Sequence, residues 1–423
     1  MSINSTTVLE KHSRIVLQKD SLVDAYPLSV QIAGEGKIYL GSIWTHEFLV
    51  VDSCWRGLVG ILETPQRVED IANKLSQKDP ITFCPNEVMC KVQLMILYLA
   101  EHHLIRAIDT VPLGESTVKR ERPLIPKKLA ATLLHPFFIP LYLGLAAFGL
   151  IAPLLYPDFR PIPQDFFWSN RLSINVFTYF VISWITVLLH EFAHAVTARA
   201  FGISGRFRFS HRLYFLVVET WYPDIFSLSR AKRIWISAAG ILSDFMTIAI
   251  AYFALFAYMH LSSQEAVIIE VFIRQIILLE WLTILWQFFF FMKTDLYFVI
   301  KELLGIENLY SIAVKRIRSW FYNAQCAERY PANDERVITL YEVFFIIGTF
   351  LALIRYVLYN LPITLWLLSG GVIDILIGVS RGDLVTALDG YMVTGLELLF
   401  LFLLVQTYWK PRFLPSIFRR KIF

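Results

Sequence analysis

One short run carries the chemistry of this chain: VLLHEFAHAVTARAFG, which holds His190, Glu191 and His194 in the spacing H-E-x-x-H. Residues four apart on a helix share a face, so both imidazoles can reach a single ion. Zinc accepts neutral imidazole nitrogen, and catalytic zinc sites take a third protein ligand and leave one position open for water. The pKa of such a water falls to about 7, within reach of a neighbouring carboxylate acting as general base. The pattern predicts a zinc-dependent hydrolytic site with His190 and His194 as metal ligands and Glu191 as the base.

The setting sharpens this expectation. The run lies inside an apolar stretch over residues 173–200, where ionisable groups cost on the order of 3 kcal/mol each on insertion scales. The competing readings are a polar contact between helices, a haem site or a structural metal. Two aspartates could complete a zinc site. Asp295 lies in FFFMKTDLYFVIKELLGIENL, and Asp389 lies in LVTALDGYMVTG.

The elements that must position these groups follow from composition. Only 17% of the 423 residues are charged, against roughly 25% in soluble proteins, and the deficit falls after residue 128. The chain therefore reads as an all-α polytopic membrane bundle behind a small α+β, winged-helix-like N-terminal domain. The expected boundaries are 1–110 for that domain, 111–128 for a basic linker and 129–423 for the transmembrane domain. In the first domain, strands are expected at Lys37–Leu40, Glu47–Val51 and Leu104–Ile108. Helices are expected over Ser53–Leu62, from Thr64-Pro65 and from Pro85-Asn86. No cleavable signal sequence is evident, and the cysteines Cys54, Cys84, Cys90 and Cys326 show no metal or disulfide spacing. These features place the N-terminal domain in the cytosol and the protein in the cell membrane as a multi-pass chain.

Candidate spans are 129–156, 173–200, 234–261, 266–292, 336–358, 361–380 and 388–408. The basic linker, the arginines that follow residue 200 and the basic C-terminal tail all fall on one side if about six segments cross fully. Residues 361–380, with Pro362, Gly370, Gly371 and Asp374, are then a broken or re-entrant element. In this arrangement Asp295 lies at the depth of the histidines and Asp389 at the opposite face, which favours Asp295 as third ligand. Glu280, Gln287 and Asp295 are expected on one face of the fourth span, with Glu280 lining a water path or pairing with Arg274. Asp244 is a candidate to orient a ligating histidine. Basic residues cluster beside spans, so lipid headgroups account for them and no nucleic acid is implied.

Two resemblances add to this reading. HEFAHAVTARAFG, RFSHRLYFLVVETW, AAGILSDF and MKTDLYFVIKELLGIENL resemble the site-2 protease family of intramembrane zinc metalloproteases over about 173–310. The branch that matures peptides, the peptide zinc metalloproteases, is the nearest in pattern. The resemblance implies Zn2+ on His190, His194 and Asp295. Family members often place Gly after the ligand aspartate, where this chain has Leu296. The stretch YLGSIWTHEFLVVDSCWRGLVGILETPQRVEDIANKL resembles PqqD-like domains, which implies a winged helix that binds leader segments of ribosomally made precursor peptides. The expected substrate is accordingly a membrane-associated or ribosomally made precursor peptide. The alternatives are a regulatory site-2 protease cleaving a membrane-anchored signalling protein, and a non-catalytic export or immunity component.

Overall fold

A computed structural model describes residues 17–34, 36–113, 123, 125–212, 215–261, 267–306, 309–322 and 332–409. Lys119, Arg120, Arg122, Cys326 and the basic residues after 409 lie outside them. The chain forms two compact units. One comprises Met1–Leu124 with Tyr222–Arg233, and the other Ile125–Trp221 with Ile234–Phe423.

The first unit begins with β1 (Leu22–Ala25), β2 (Ser29–Gly34), β3 (Lys37–Ser42) and β4 (Glu47–Asp52). The helix expected over Ser53–Leu62 is instead a 3₁₀ turn, Ser53–Gly57, followed by the single-turn α1 (Leu58–Ile61). Next come β5 (Gln66–Arg67), α2 (Val68–Lys78), α3 (Pro85–Glu101), β6 (Ile105–Ile108) and β7 (Val111–Pro112). β2, β3 and β4 form an antiparallel sheet in chain order, and a second sheet runs β5-β1-β6-β7. Thr64-Pro65 does not open α2, because Gln66 and Arg67 are drawn into pairing with β1. The buried face of α2 is Val68, Ile71, Ala72 and Leu75, the i, i+3, i+4, i+7 stripe of an amphipathic helix. It meets Val92, Ile96 and Leu99 of α3 in one core, each burial stabilising by about 1.5–3 kcal/mol.

Among the described residues, the regular structure of the second unit is helical apart from one hairpin. It contains α4 (Lys127–Leu133), α5 (Ile139–Leu155), α6 (Leu172–Ala200), β8 (Arg206–Arg212), β9 (Phe215–Trp221), α7 (Arg230–Leu261) and α8 (Val267–Gln287). After these come α9 (Asp295–Leu304), α10 (Leu309–Tyr322), α11 (Ala332–Arg355), α12 (Leu361–Arg381) and α13 (Leu384–Trp409). The first turn of α7 belongs to the other unit.

Four helical stretches among the described residues are long and apolar enough to cross a membrane: Leu172–Ala200, Arg230–His260, Asp334–Arg381 and Leu384–Phe402. The span expected at 129–156 is two helices, interrupted near Pro136, and α5 alone has 17 residues. The span expected at 266–292 ends at Gln287, and α8 carries Glu270, Arg274 and Glu280 along its length. Residues 361–380 are not broken. α11 runs through a π-helical turn, Tyr356–Asn360, into α12 as one helical stretch of 48 residues. Gly370 and Gly371 do not interrupt it, and Gly371 serves close packing instead: a Cβ there would run into Thr394 and the Gly390 carbonyl of α13.

Candidate metal and hydrolytic site

α6 brings His190, Glu191 and His194 to its buried side, each less than a tenth exposed. Along the same side lie Ser173, Asn175, Ile182 and Thr186, so the inward face of this apolar helix is a largely polar stripe. The two Nε2 atoms are 3.2 Å apart. Asp295 Oδ2 lies 2.8 Å from that of His190 and 3.3 Å from that of His194. The ligand atoms of His190, Glu191 and His194 all lie within 4.8 Å of one another.

The outer nitrogens are tied down. Asp244 on α7 places its two oxygens 2.8 and 2.9 Å from His190 Nδ1. His194 Nδ1 lies 2.6 Å from the Ile236 carbonyl, also on α7. A carbonyl oxygen only accepts, so Nδ1 of His194 carries the proton and Nε2 of the neutral ring turns a lone pair inward. The Asp244 carboxylate assigns His190 the same way. Two imidazole lone pairs and a carboxylate oxygen thus converge at 2.8–3.3 Å. They repel one another unless a positive charge, a proton or a metal ion, sits among them.

Gly240 of α7 closes this centre from one side. A Cβ at that position would fall on Nε2 of both histidines, so only glycine leaves the space between the rings open. On another side, the Thr220 hydroxyl of β9 donates to Glu191 Oε2 over 2.5 Å. Asp295 opens α9, with Thr294 as its N-cap residue. The expectation that Glu280, Gln287 and Asp295 share one helical face fails, because the chain leaves the helix after Gln287 and turns at Phe290–Met292 before α9 begins. Gln287 and Asp295 still meet: the Asp295 amide donates to Gln287 Oε1 over 3.1 Å, and Gln287 Nε2 donates to Asp295 Oδ2 over 3.3 Å. The Thr294 hydroxyl pins the Gln287 carbonyl at 2.7 Å.

Glu280 is fully buried on α8, and one of its carboxyl oxygens has no hydrogen-bond partner among the described residues. It does not pair with Arg274, whose guanidinium binds Glu270, one turn away on the same helix, at 2.8 Å. Asp389 is not at the centre. It accepts hydrogen bonds from the amide and hydroxyl of Ser173, at the opposite end of α6. That end is about 25 Å from His190 at 1.5 Å per helical residue. Gly390, next to Asp389, packs against the Gly371 carbonyl, so the L-D-G triplet serves helix contacts here.

Three participants were not foreseen from the residues alone: Thr220, the Ile236 carbonyl and Gly240. The hairpin holding Thr220 had a signal, because aromatic and β-branched residues flank a turn in RFRFSHRLYFLVVETW. Comparison with family models, curated proteins and solved structures finds no match to this chain.

Proposed function

We propose that the protein is a membrane-embedded zinc metalloprotease that hydrolyses a peptide bond in a membrane-associated or ribosomally made precursor peptide. The observation that carries this reading is the convergence of His190 Nε2, His194 Nε2 and Asp295 Oδ2 beside Glu191 within an apolar helix bundle. Their spacing suits tetrahedral zinc, in which ligand atoms about 2.0–2.2 Å from the metal lie about 3.3 Å from one another. A zinc ion there would polarise the scissile carbonyl and lower the pKa of a bound water. Glu191 is the group placed to accept a proton from the attacking water and return it to the leaving amine. Asp244 and the Ile236 carbonyl keep both histidines in the tautomer that presents Nε2. Gln287 holds Asp295 through both its amide and its carboxylate.

The chain in this reading crosses the membrane six times, through α5, α6, α7, α8, the continuous α11–α12 helix and α13. That long helix measures about 72 Å at 1.5 Å per residue, enough for one crossing of a core of about 30 Å and a long extension beyond it. The re-entrant element is then unnecessary, and the basic termini share the cytosolic side. The antiparallel sheet β2-β3-β4 has two outer strands, to which an extended leader segment can add as a further strand.

The test is the zinc content of detergent-purified full-length protein for wild type, Asp295→Ala and Asp389→Ala in parallel. One equivalent in wild type and Asp389→Ala, with loss in Asp295→Ala, is expected. Wild type free of zinc, or zinc that survives Asp295→Ala, contradicts the site.

A further inference from the structure

Glu191 shares a helix with both histidines, but the group that holds it comes from the hairpin. Thr220 lies on β9, where its register with β8 pairs it with Phe207. Successive side chains of a strand point to opposite faces. The neighbours of Thr220 engage β8: Glu219 binds Arg208 at 2.6 Å, and the Trp221 ring lies 5.9 Å from the same guanidinium. Thr220 points the other way, toward α6, against which β9 packs.

The 2.5 Å between the Thr220 hydroxyl and Glu191 Oε2 is the length of a hydroxyl donating to a carboxylate. The same hydroxyl lies 3.4 Å from the Glu191 carbonyl, so it meets both the side chain and the backbone of this residue. Glu191 Oε1 has no hydrogen-bond partner among the described residues. The carboxyl is nonetheless buried and close to the ligand nitrogens of both histidines. One of its oxygens is therefore held, and the other is open.

We infer that Thr220 is the positioning residue of the hydrolytic base: its hydroxyl holds Glu191 Oε2 and so leaves Oε1 as the atom that moves the proton. The inference rests on the reading of Glu191 as base. A proton of the attacking water passes to Oε1 as the water oxygen bonds the scissile carbon. It passes from Oε1 to the departing nitrogen as the carbon–nitrogen bond breaks. Thr220 gives up no proton in either step. A glutamate left to rotate about its side-chain bonds spends much of its time out of line, and a misplacement of about 1 Å can cost about 10²-fold in rate. A donor carried on a paired strand removes that freedom.

The test compares full-length wild type in detergent with Thr220→Val, which keeps the shape and removes the hydroxyl, and Thr220→Ser, which keeps the hydroxyl. Thr186→Val is the control, because it removes a hydroxyl bonded within α6 itself. Labelling of Glu191 by a hydrophobic carbodiimide, read by mass spectrometry on metal-free protein, reports how firmly the carboxyl is held. Thr220→Val is expected to speed labelling by about tenfold, the effect of losing one hydrogen bond to a charged group. Thr220→Ser and Thr186→Val label at the wild-type rate. With zinc bound and fluorescein-labelled casein as the probe, Thr220→Val lowers kcat by about tenfold or more and leaves KM unchanged, and Thr220→Ser recovers the rate. Zinc content is the same in all four proteins. Equal labelling of Thr220→Val and wild type overturns the inference, and so does a rise in KM with kcat unchanged. Loss of zinc in Thr220→Val also overturns it, since the hydroxyl would then support the whole centre. If wild type holds no zinc or leaves casein intact, the protease reading fails separately, and the labelling rates still decide whether Thr220 holds Glu191.

Discussion

The two units are built on opposite plans. In the N-terminal unit the core around α2 and α3 is apolar: Leu58, Ile71, Leu75, Ile96 and Leu99 are all inaccessible. On α6 of the second unit the buried set is largely polar, whereas Ile185, Leu188 and Leu189 point outward and are about half exposed. A core that excludes water is stabilised by the apolar area it hides. A helix surrounded by hydrocarbon gains little by hiding leucine, and its inward face is free to carry groups that need partners. The contrast explains how three ionisable side chains can follow one another so closely on α6. Their mutual contacts, and those from Asp244 and Asp295, satisfy groups that would otherwise be stranded.

Substitutions can break or sharpen this contrast. The largest effect is expected from Glu191→Gln, which should lower peptide hydrolysis by about 10²–10⁴-fold while zinc stays bound, as shown by metal analysis alongside a cleavage assay. Preserved hydrolysis would remove Glu191 from the role of base. Ile96→Ala, a cavity in the apolar core, should destabilise the N-terminal unit by about 2–5 kcal/mol, read from its thermal or denaturant transition. Asp244→Asn, a change in the polar core, should weaken zinc affinity by about 10–100-fold with little change in helical content. If Asp244→Asn unfolded the bundle and left metal affinity intact, the polar stripe would be structural. The smallest effect is expected for Leu188→Ala on the outward face of α6, within about 0.5 kcal/mol in stability and without change in zinc content.

Legibility in the sequence divides along physical lines. His190, Glu191 and His194 were readable because helical periodicity alone brings their side chains together. The aspartates were readable only through topology, since Asp295 and Asp389 are equal as residue types and differ in which end of α6 they meet. The partners of the histidines divide in the same way. Asp244 carries an ionisable side chain in an apolar stretch and attracts notice, whereas the Ile236 carbonyl belongs to a backbone that every residue possesses. Gly240 reads as one more small residue for helix packing until the rings beside it are placed. The single helical stretch from Asp334 to Arg381 escaped reading because Pro362 signals a break, whereas the π-helical turn Tyr356–Asn360 just before it carries the helix through. The docking of 222–233 within the N-terminal unit, where Asp224 meets His46 and Phe226 stacks on Tyr39, left no local trace at all, because those partners lie far away in the chain.

That docking also sets an order of assembly. The N-terminal unit is discontinuous: its last piece is made only after α4, α5, α6 and the hairpin have been synthesised. At about 5–20 residues per second, the stretch from 124 to 233 takes roughly 5–20 s to synthesise. Through that interval Tyr39 and His46 wait without Phe226 and Asp224. The first unit to be translated is therefore not the first to be finished, and its completion coincides with arrival of the α7 residues that orient the histidines. A nascent chain stalled before residue 222 would hold an open N-terminal unit together with histidines that lack their α7 partners, so neither is completed ahead of the other.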